Sequence, residues 1–251
     1  QQVNQSVINS LSINNVTSAI GGADPMTQDE IRNYISFNFA AQKRAVTIND
    51  YVSQLRTMPS SFGSPAKASA TEIENKIKLS VLSYTPGGTL TSNVSSTLKN
   101  NIATYLSNHR MINDYIMVGS AKVIDLRLEI DLIIANGVNQ SEVVTSVISI
   151  VGEYFKTDKI EMGQDLALGE LRKQIMNQDG VVNIVDVRVY NQVGDPYSQS
   201  VSTQPYINAT TKQIGLIDDT IFAQPDEILQ IMSPQKDISV RTKRNTKPTF
   251  S

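Results

Sequence analysis

Apolar residues recur at two intervals along this chain of 251 residues, and the interval separates its helices from its strands. Ile31, Tyr34, Ile35 and Phe39 fall three or four apart and share one helical face, with Asn38 the polar position among them. Asp24-Pro25 opens that helix, and Thr27 with Glu30 has the spacing of a capping box. A second helix repeats the arrangement. Thr47 and Asp50 pair as its cap, Tyr51, Val52 and Leu55 form its stripe, and Met58-Pro59 stops it because proline pushes the residue before it out of the helical region. The two short helices are expected to pack together through the Gln42-Lys43-Arg44 connection.

Beyond this pair the interval drops to two. Ile77, Leu79 and Val81 alternate with Lys78 and Ser80 as a half-buried strand, which Pro86-Gly87-Gly88 breaks. A helix follows with Val94, Leu98, Ile102, Tyr105 and Leu106 as its stripe, ending near Asn108-His109. Extended residues Tyr115 to Val118 and a Gly119-Ser120 interruption lead into the clearest strand of the chain, with Leu126, Leu128, Ile130, Leu132 and Ile134 on one face. Asn136-Gly137 turns it. Asn139 and Glu142 then cap a helix carrying Val143, Val144, Val147, Ile148, Val151 and Phe155. Another helix is expected over Leu166 to Asn177, with Gly180 ending it in the left-handed conformation. Val181 to Tyr190 reads as a strand with Val185, Val187 and Val189 on one face. Ile214 to Ile217 and Thr220 to Ala223 flank Asp218-Asp219 as a hairpin.

The pattern predicts an α+β fold: a small helical unit, a split β-α-β-like sandwich with helices over one face of a mostly antiparallel sheet, and a small β-rich C-terminal module. The expected divisions are an extended segment at 1–20 entering from an upstream domain, a two-helix unit at 21–65, a sandwich at 66–190, a turn-rich β module at 191–232 and a basic tail at 233–251. The chain opens on Gln1 rather than a methionine, which suggests a fragment or processed product.

The order of residues in the first unit is more specific than either cap. Gly21, Gly22, Ala23, Asp24 and Pro25 with Glu30, followed by Arg44, Ala45, Val46 and Thr47 with Asp50 and Tyr51, resembles the signature of the baseplate J-like family of contractile phage tails and related injection machines. Met26-Thr27 and the PSSFGSPAKA stretch at 59–68 depart from that signature in its loops. The signature is densest over residues 21 to 57 and fades to a compatible pattern by about residue 190. The resemblance implies a non-enzymatic virion component of the tail baseplate, assembled in the bacterial host cytoplasm, that helps form the wedge ring around the tail hub. It implies a homodimer within that ring, with an interface in residues 66–232 of at least about 1,000 Å² in total. It also implies contacts to other wedge proteins and to the sheath-proximal ring protein, and a part in passing the contraction signal to the sheath. The motif helices become architecture under this view. A host-receptor-binding or adhesive virion module is the alternative, but aromatic residues make up 6% of the chain and Trp is absent, whereas binding hot spots favour Trp and Tyr.

Composition narrows the chemistry. There is no cysteine, hence no disulfide framework and no Cys-based metal or nucleophile site, and the single histidine, His109, excludes paired-His mechanisms. No stretch reaches the roughly 18 to 20 apolar residues of a membrane-spanning helix. The whole chain carries a net charge of −2, yet Lys236, Arg241, Lys243, Arg244 and Lys247 stand against the single acid Asp237 after residue 232, so an acidic body ends in a basic segment. That segment suits docking on an acidic neighbour or a solvated terminus. Nucleic acid is a poor fit, because no aromatic or Gly-rich repeats interleave the cations. Asp125, Glu129 and Asp131 share the polar face of the long strand with Arg127, an arrangement that suits cross-strand ion pairs better than a hard cation. Asp158 with Glu161, and Asp218-Asp219, sit in expected loops without the apolar shielding that would separate an acid from a base. No catalytic residue, cofactor, metal or small-molecule substrate is expected.

Overall fold

The computed structural model describes residues 44–74, 76–203 and 206–244. The expected segment at 1–20, the first helix with Gly21, Gly22, Asp24, Pro25 and Glu30, and the cation Lys247 lie outside the described residues.

Helix α1 (Ile48–Arg56) starts as its sequence requires. The Asp50 amide donates to Thr47 Oγ1 at 3.3 Å, and Asp50 Oδ2 accepts from the Thr47 amide at 2.8 Å and the Val46 amide at 3.0 Å. The amides of Val46 and Thr47 are thereby satisfied, and the Asp50 amide, which also reaches the Thr47 carbonyl at 3.0 Å, gains a side-chain acceptor. Tyr51, Gln54 and Leu55 are buried, while Val52, expected in the stripe, is half-buried.

After a 3-10 turn (Ser60–Phe62), β1 (Lys67–Ile73) pairs antiparallel with β2 (Lys76–Tyr84), and a short β3 (Leu90–Thr91) extends the far end of β2. Helix α2 (Ser96–Ser107), capped by Ser95 Oγ on the Leu98 amide, then returns the chain to β4 (Tyr115–Ser120), which lies parallel to β2 on its other side. Ile77, Leu79 and Val81 on the helix side of this sheet bury against Tyr51, Leu55, Met58, Val94, Ile102 and Leu106. Strand β1 escapes the alternation rule because its apolar positions are Ala68 and Ala70, too small to read as a stripe.

A second, larger layer is built around β5 (Lys122–Ile134). Strand β7 (Val181–Gln192) runs antiparallel along one side of it, with β8 (Gln213–Ile214) beyond. Along the other side the chain passes once but makes two parallel strands, β10 (Glu227–Gln230) beside the first part of β5 and β11 (Ile238–Arg244) beside the second, separated by the one-turn helix α5 (Pro234–Asp237). Helices α3 (Gln140–Tyr154) and α4 (Leu168–Met176) cover one face. Val143, Val147, Val151, Leu168, Leu171 and Ile175 meet Leu126, Leu128, Ile130, Leu132 and Ile134 in the main core. Leu82 and Leu90 of the small sheet join that core and tie the two layers together.

The α+β class and the element order stand, with the strands divided between two larger sheets and a two-stranded one. Four expectations change in detail. Val185 is 55% exposed although Val187 and Val189 are buried, because two register shifts in the β5–β7 ladder leave Val182 and Val185 as extra residues, and Ile184 takes the inward place opposite Leu132. Asp218 and Asp219 do form a turn at positive φ, closed by the antiparallel bridge of Ile217 with Thr220, but the hairpin goes no further: β8 joins β7, and β9 (Thr220–Ile221) joins β6 (Leu166–Ala167). Gly180 has φ 87 but lies past the helix end at Asn177; it turns the chain into β7, where an added Cβ would come within 2.7 Å of Val138. The segments read as a peripheral module and a tail, 191–232 and 233–251, supply β10 and β11 of the main sheet.

Candidate assembly surfaces

The motif residues within the described part converge on one corner. Ala45 is fully buried and its amide donates to the His109 carbonyl at 2.7 Å, where α2 ends. Tyr51, also fully buried, donates its hydroxyl to the Asp114 carboxylate. Burial, and then that carboxylate, push its phenol well above the usual range. His109 bonds through Nδ1 to the Tyr105 carbonyl at 2.9 Å and stacks on the Tyr105 ring at 4.5 Å. Thr47 and Asp50 make the cap; Arg44 and Val46 remain exposed. This geometry closes α1 onto α2.

A buried polar cluster occupies the start of the main sheet. Asp125, 2% exposed, accepts from Gln230 Nε2 at 2.8 Å and from the Ser198 amide at 2.7 Å. Asn191 donates to the Asp125 carbonyl at 3.3 Å and accepts from the Ser202 amide at 2.8 Å. Asp237, at the break between β10 and β11, accepts from Gln192, from the Tyr197 hydroxyl at 2.6 Å and from the Ser233 amide. Glu227 accepts from Thr203 and from the Gln224 amide. Burial, partly offset by the Ser198 and Gln230 bonds, raises the Asp125 carboxyl above its ordinary value, with Asp237 adding to the rise. The Tyr197 phenol is pushed up to about 12, first by its bond to Asp237 and then by burial. Asp125 and Asp237 lie in one cluster here, but protein donors already engage them, and they fasten the 193–203 loop and the strand break to the sheet.

Past that loop the face of the main sheet opposite the helices is open and charged. Arg188 pairs with Asp131 at 2.9 Å, Asp186 at 3.2 Å and Glu129 at 3.5 Å, and Arg127 lies over the Tyr190 ring at 4.4 Å. Of the three acids noted in sequence, Glu129 and Asp131 join this ion-pair network, and Asp125 is withdrawn beneath the 193–203 loop. Among the described residues no group of three or more His, Cys, Asp or Glu side chains is placed to hold a metal ion. Glu161 is held by Arg56 at 3.2 Å and Lys67 at 3.0 Å, and Asp219 by Arg172 at 2.8 Å, so neither is a free acid or base. The basic segment is split: Lys236 lies exposed on α5, and Arg241, Lys243 and Arg244 lie on β11, Arg241 reaching Glu129 at 3.8 Å.

The small sheet offers a different surface. Its register places Ile73, Lys76 and Tyr115 in one cross-strand row and Thr71, Lys78 and Met117 in the next, all on the side away from α1 and α2. Farther along the same side, Leu82 is covered by the main core, and Lys78 reaches Asp226 at 2.9 Å. The near end is bare: Ile73 is 49% exposed, Tyr115 60% and Met117 48%, with Ile112 94% exposed in the preceding loop. Sequence reasoning gave Tyr115 to Val118 only as extended, since four apolar residues in a row carry no alternation; the inward pair is Ile116 and Val118.

No protein-family model matches the chain, and no curated protein matches it. Among solved structures, the chain is similar in fold to a chain of the anti-feeding prophage baseplate, solved by cryo-EM with six-fold symmetrisation. The match has a TM-score of 0.52 at 10% identity and covers 82% of this chain. This chain spans 41% of that neighbour's length. Among the described residues no helix is long and apolar enough to cross a membrane.

Proposed function

We propose that the chain is a structural, non-catalytic part of a contractile-tail baseplate, resident in the virion tail and assembled in the host cytoplasm. Its position is the wedge ring around the hub, where it associates with a second copy of itself, contacts other wedge proteins and the sheath-proximal ring protein, and passes the contraction signal to the sheath. The resemblance to the baseplate J-like family suggests the carboxy-terminal part of a wedge ring protein like that of T-even-like phages.

The observation that carries this proposal is a coincidence of two independent likenesses. The signature through Arg44, Ala45, Val46, Thr47, Asp50 and Tyr51 resembles a baseplate family, and the fold over 82% of the chain resembles a baseplate chain at an identity too low for sequence to have found it. The bare end of the small sheet supports the self-association step, since Ile73, Tyr115 and Met117 give a second copy apolar surface within residues 66–232. Light scattering behind a sizing column over a wide concentration range tests it. A dimer is expected; a monomer at every concentration refutes self-association within this chain. Labelling the chain in purified particles tests its location, and finding it outside the baseplate refutes the proposal as a whole.

A further inference from the structure

Strand β11 ends the main sheet on an open edge. Beside it on the same edge, β10 is sealed: the Gly163 amide donates to the Glu227 carbonyl at 2.8 Å, and Pro225 packs against Gly163. Among the described residues no strand or loop seals β11 in the same way, so alternate N–H and C=O groups of Ile238–Arg244 point away from β5 without a ladder partner.

The side chains on this edge have one sign. Ser239, Arg241 and Lys243 lie on the charged face, level with Glu129, Asp131 and Ile133, and Arg244 follows on the helix face. Arg241 is 65% exposed and only 3.8 Å from Glu129 Oε2, because Asp131, directly opposite it, is taken by Arg188. Lys243 and Arg244 are exposed and make no ion pair among the described residues. Between Arg241 and Lys243, Thr242 Oγ1 is buried and lacks a hydrogen-bond partner.

Basic residues on an edge strand discourage pairing with neutral or basic strands. The same charges repel the β11 of a second copy, which would set Arg241 and Lys243 against their equivalents. They admit one kind of occupant. We propose that β11 is the acceptor strand for an acidic extended segment of a different polypeptide, which adds to the main sheet by backbone pairing. Carboxylates at every second position of the incoming strand face Arg241 and Lys243, and the alternate positions are apolar and lie beside Val240 over the helix face. This deepens the assembly proposal by naming the chemistry of one neighbour, and it does not depend on self-association.

The test uses the full chain and three fluorescein-labelled octapeptides at low ionic strength: alternating Val and Glu, alternating Val and Lys, and the Val–Glu peptide with alternate backbone nitrogens methylated. Fluorescence anisotropy is expected to show the Val–Glu peptide binding at least ten-fold more tightly than either control. Amide exchange of Ser239–Lys243 should slow when it binds. The double variant Arg241→Glu, Lys243→Glu should reverse the preference toward the Val–Lys peptide. Equal binding of the methylated peptide means attraction by charge alone and overturns the strand acceptor. So does a preference unchanged by charge reversal, or no binding of the Val–Glu peptide at millimolar concentration. If the double variant does not fold, the three peptides on the natural chain decide the matter alone. A monomeric chain that binds the Val–Glu peptide refutes self-association and keeps the acceptor strand; a dimer that does not bind it does the reverse.

Discussion

Asp125 and Gln230 are 105 residues apart in sequence and directly opposite each other on the parallel strands β5 and β10, joined by a 2.8 Å hydrogen bond from the Gln230 amide to the Asp125 carboxylate. The other carboxylate oxygen takes the Ser198 amide. One buried side chain therefore holds the second pass of the chain along the sheet and the loop that covers it. Asp125→Ala takes the acceptor from the half-buried Ser198 amide and leaves Gln230 Nε2 only its longer 3.4 Å bond to the Leu90 carbonyl. We expect a loss of about 2 kcal/mol in stability at neutral pH, less than two unpaired donors would cost alone because a buried charge is relieved at the same time. Urea unfolding measures it, and an unchanged midpoint would show that the cluster does not fasten the loop.

Tyr197 gives the same region an alkaline limit. Its phenol is raised to about 12 in the folded chain by the bond to Asp237 and by burial. A raised folded value means that the stabilisation is fully present below the unfolded value near 10 and is lost as pH climbs through 12. The natural chain should therefore lose stability relative to Tyr197→Phe between about pH 10 and 12, while the gap between them stays constant from pH 7 to 9. Chemical denaturation of both chains across that range reads the difference, which cancels the contributions of Tyr51 and the lysines.

The alternation rule recovered β5 almost residue for residue, because a long strand with one face in the core has its phase set thirteen residues in a row. It misplaced Val185 because a bulge changes the phase without changing residue type; valine fits both sides of the irregularity. Strands β10 and β11 were hidden for other reasons. The four residues of β10 are all buried, Glu227 and Gln230 included, so nothing alternates, and the cations of β11 masked the inward pair Ile238 and Val240. Asp125 was placed on a solvated face since no local signal announces that a loop 70 residues later will cover it. The cap at Thr47 and Asp50 was legible because the chemistry is contained in four consecutive residues.

The bulge is open to a direct check. Val185→Lys should change stability by no more than about 0.5 kcal/mol, and Val187→Lys, two residues on and opposite Ile130, should cost about 3 kcal/mol or more by placing a charge in the main core. Thermal unfolding of both variants distinguishes the two positions; equal losses would restore a continuous strand.

Self-association has its own pair of variants. Tyr115 and Met117 stand on adjacent rows of the open small sheet, and Lys76 lies over the Tyr115 ring at 5.9 Å, so the row is already arranged without a partner. Tyr115→Glu with Met117→Glu puts two charges where apolar surface would be removed from water, and like charges would meet across a symmetric interface. The dimer dissociation constant should rise at least ten-fold, a change of about 1.4 kcal/mol or more. Monomer stability should move by less than about 1 kcal/mol, since neither side chain is buried in the single chain. Phe222→Glu, 38% exposed just past β9 on the side of the larger core, serves as the control and should leave the dimer intact. Sedimentation equilibrium on the three chains reports the constants. If the double variant dimerises as tightly as the natural chain, the contact lies elsewhere on the chain; if Phe222→Glu is the one that dissociates, the larger layer carries it.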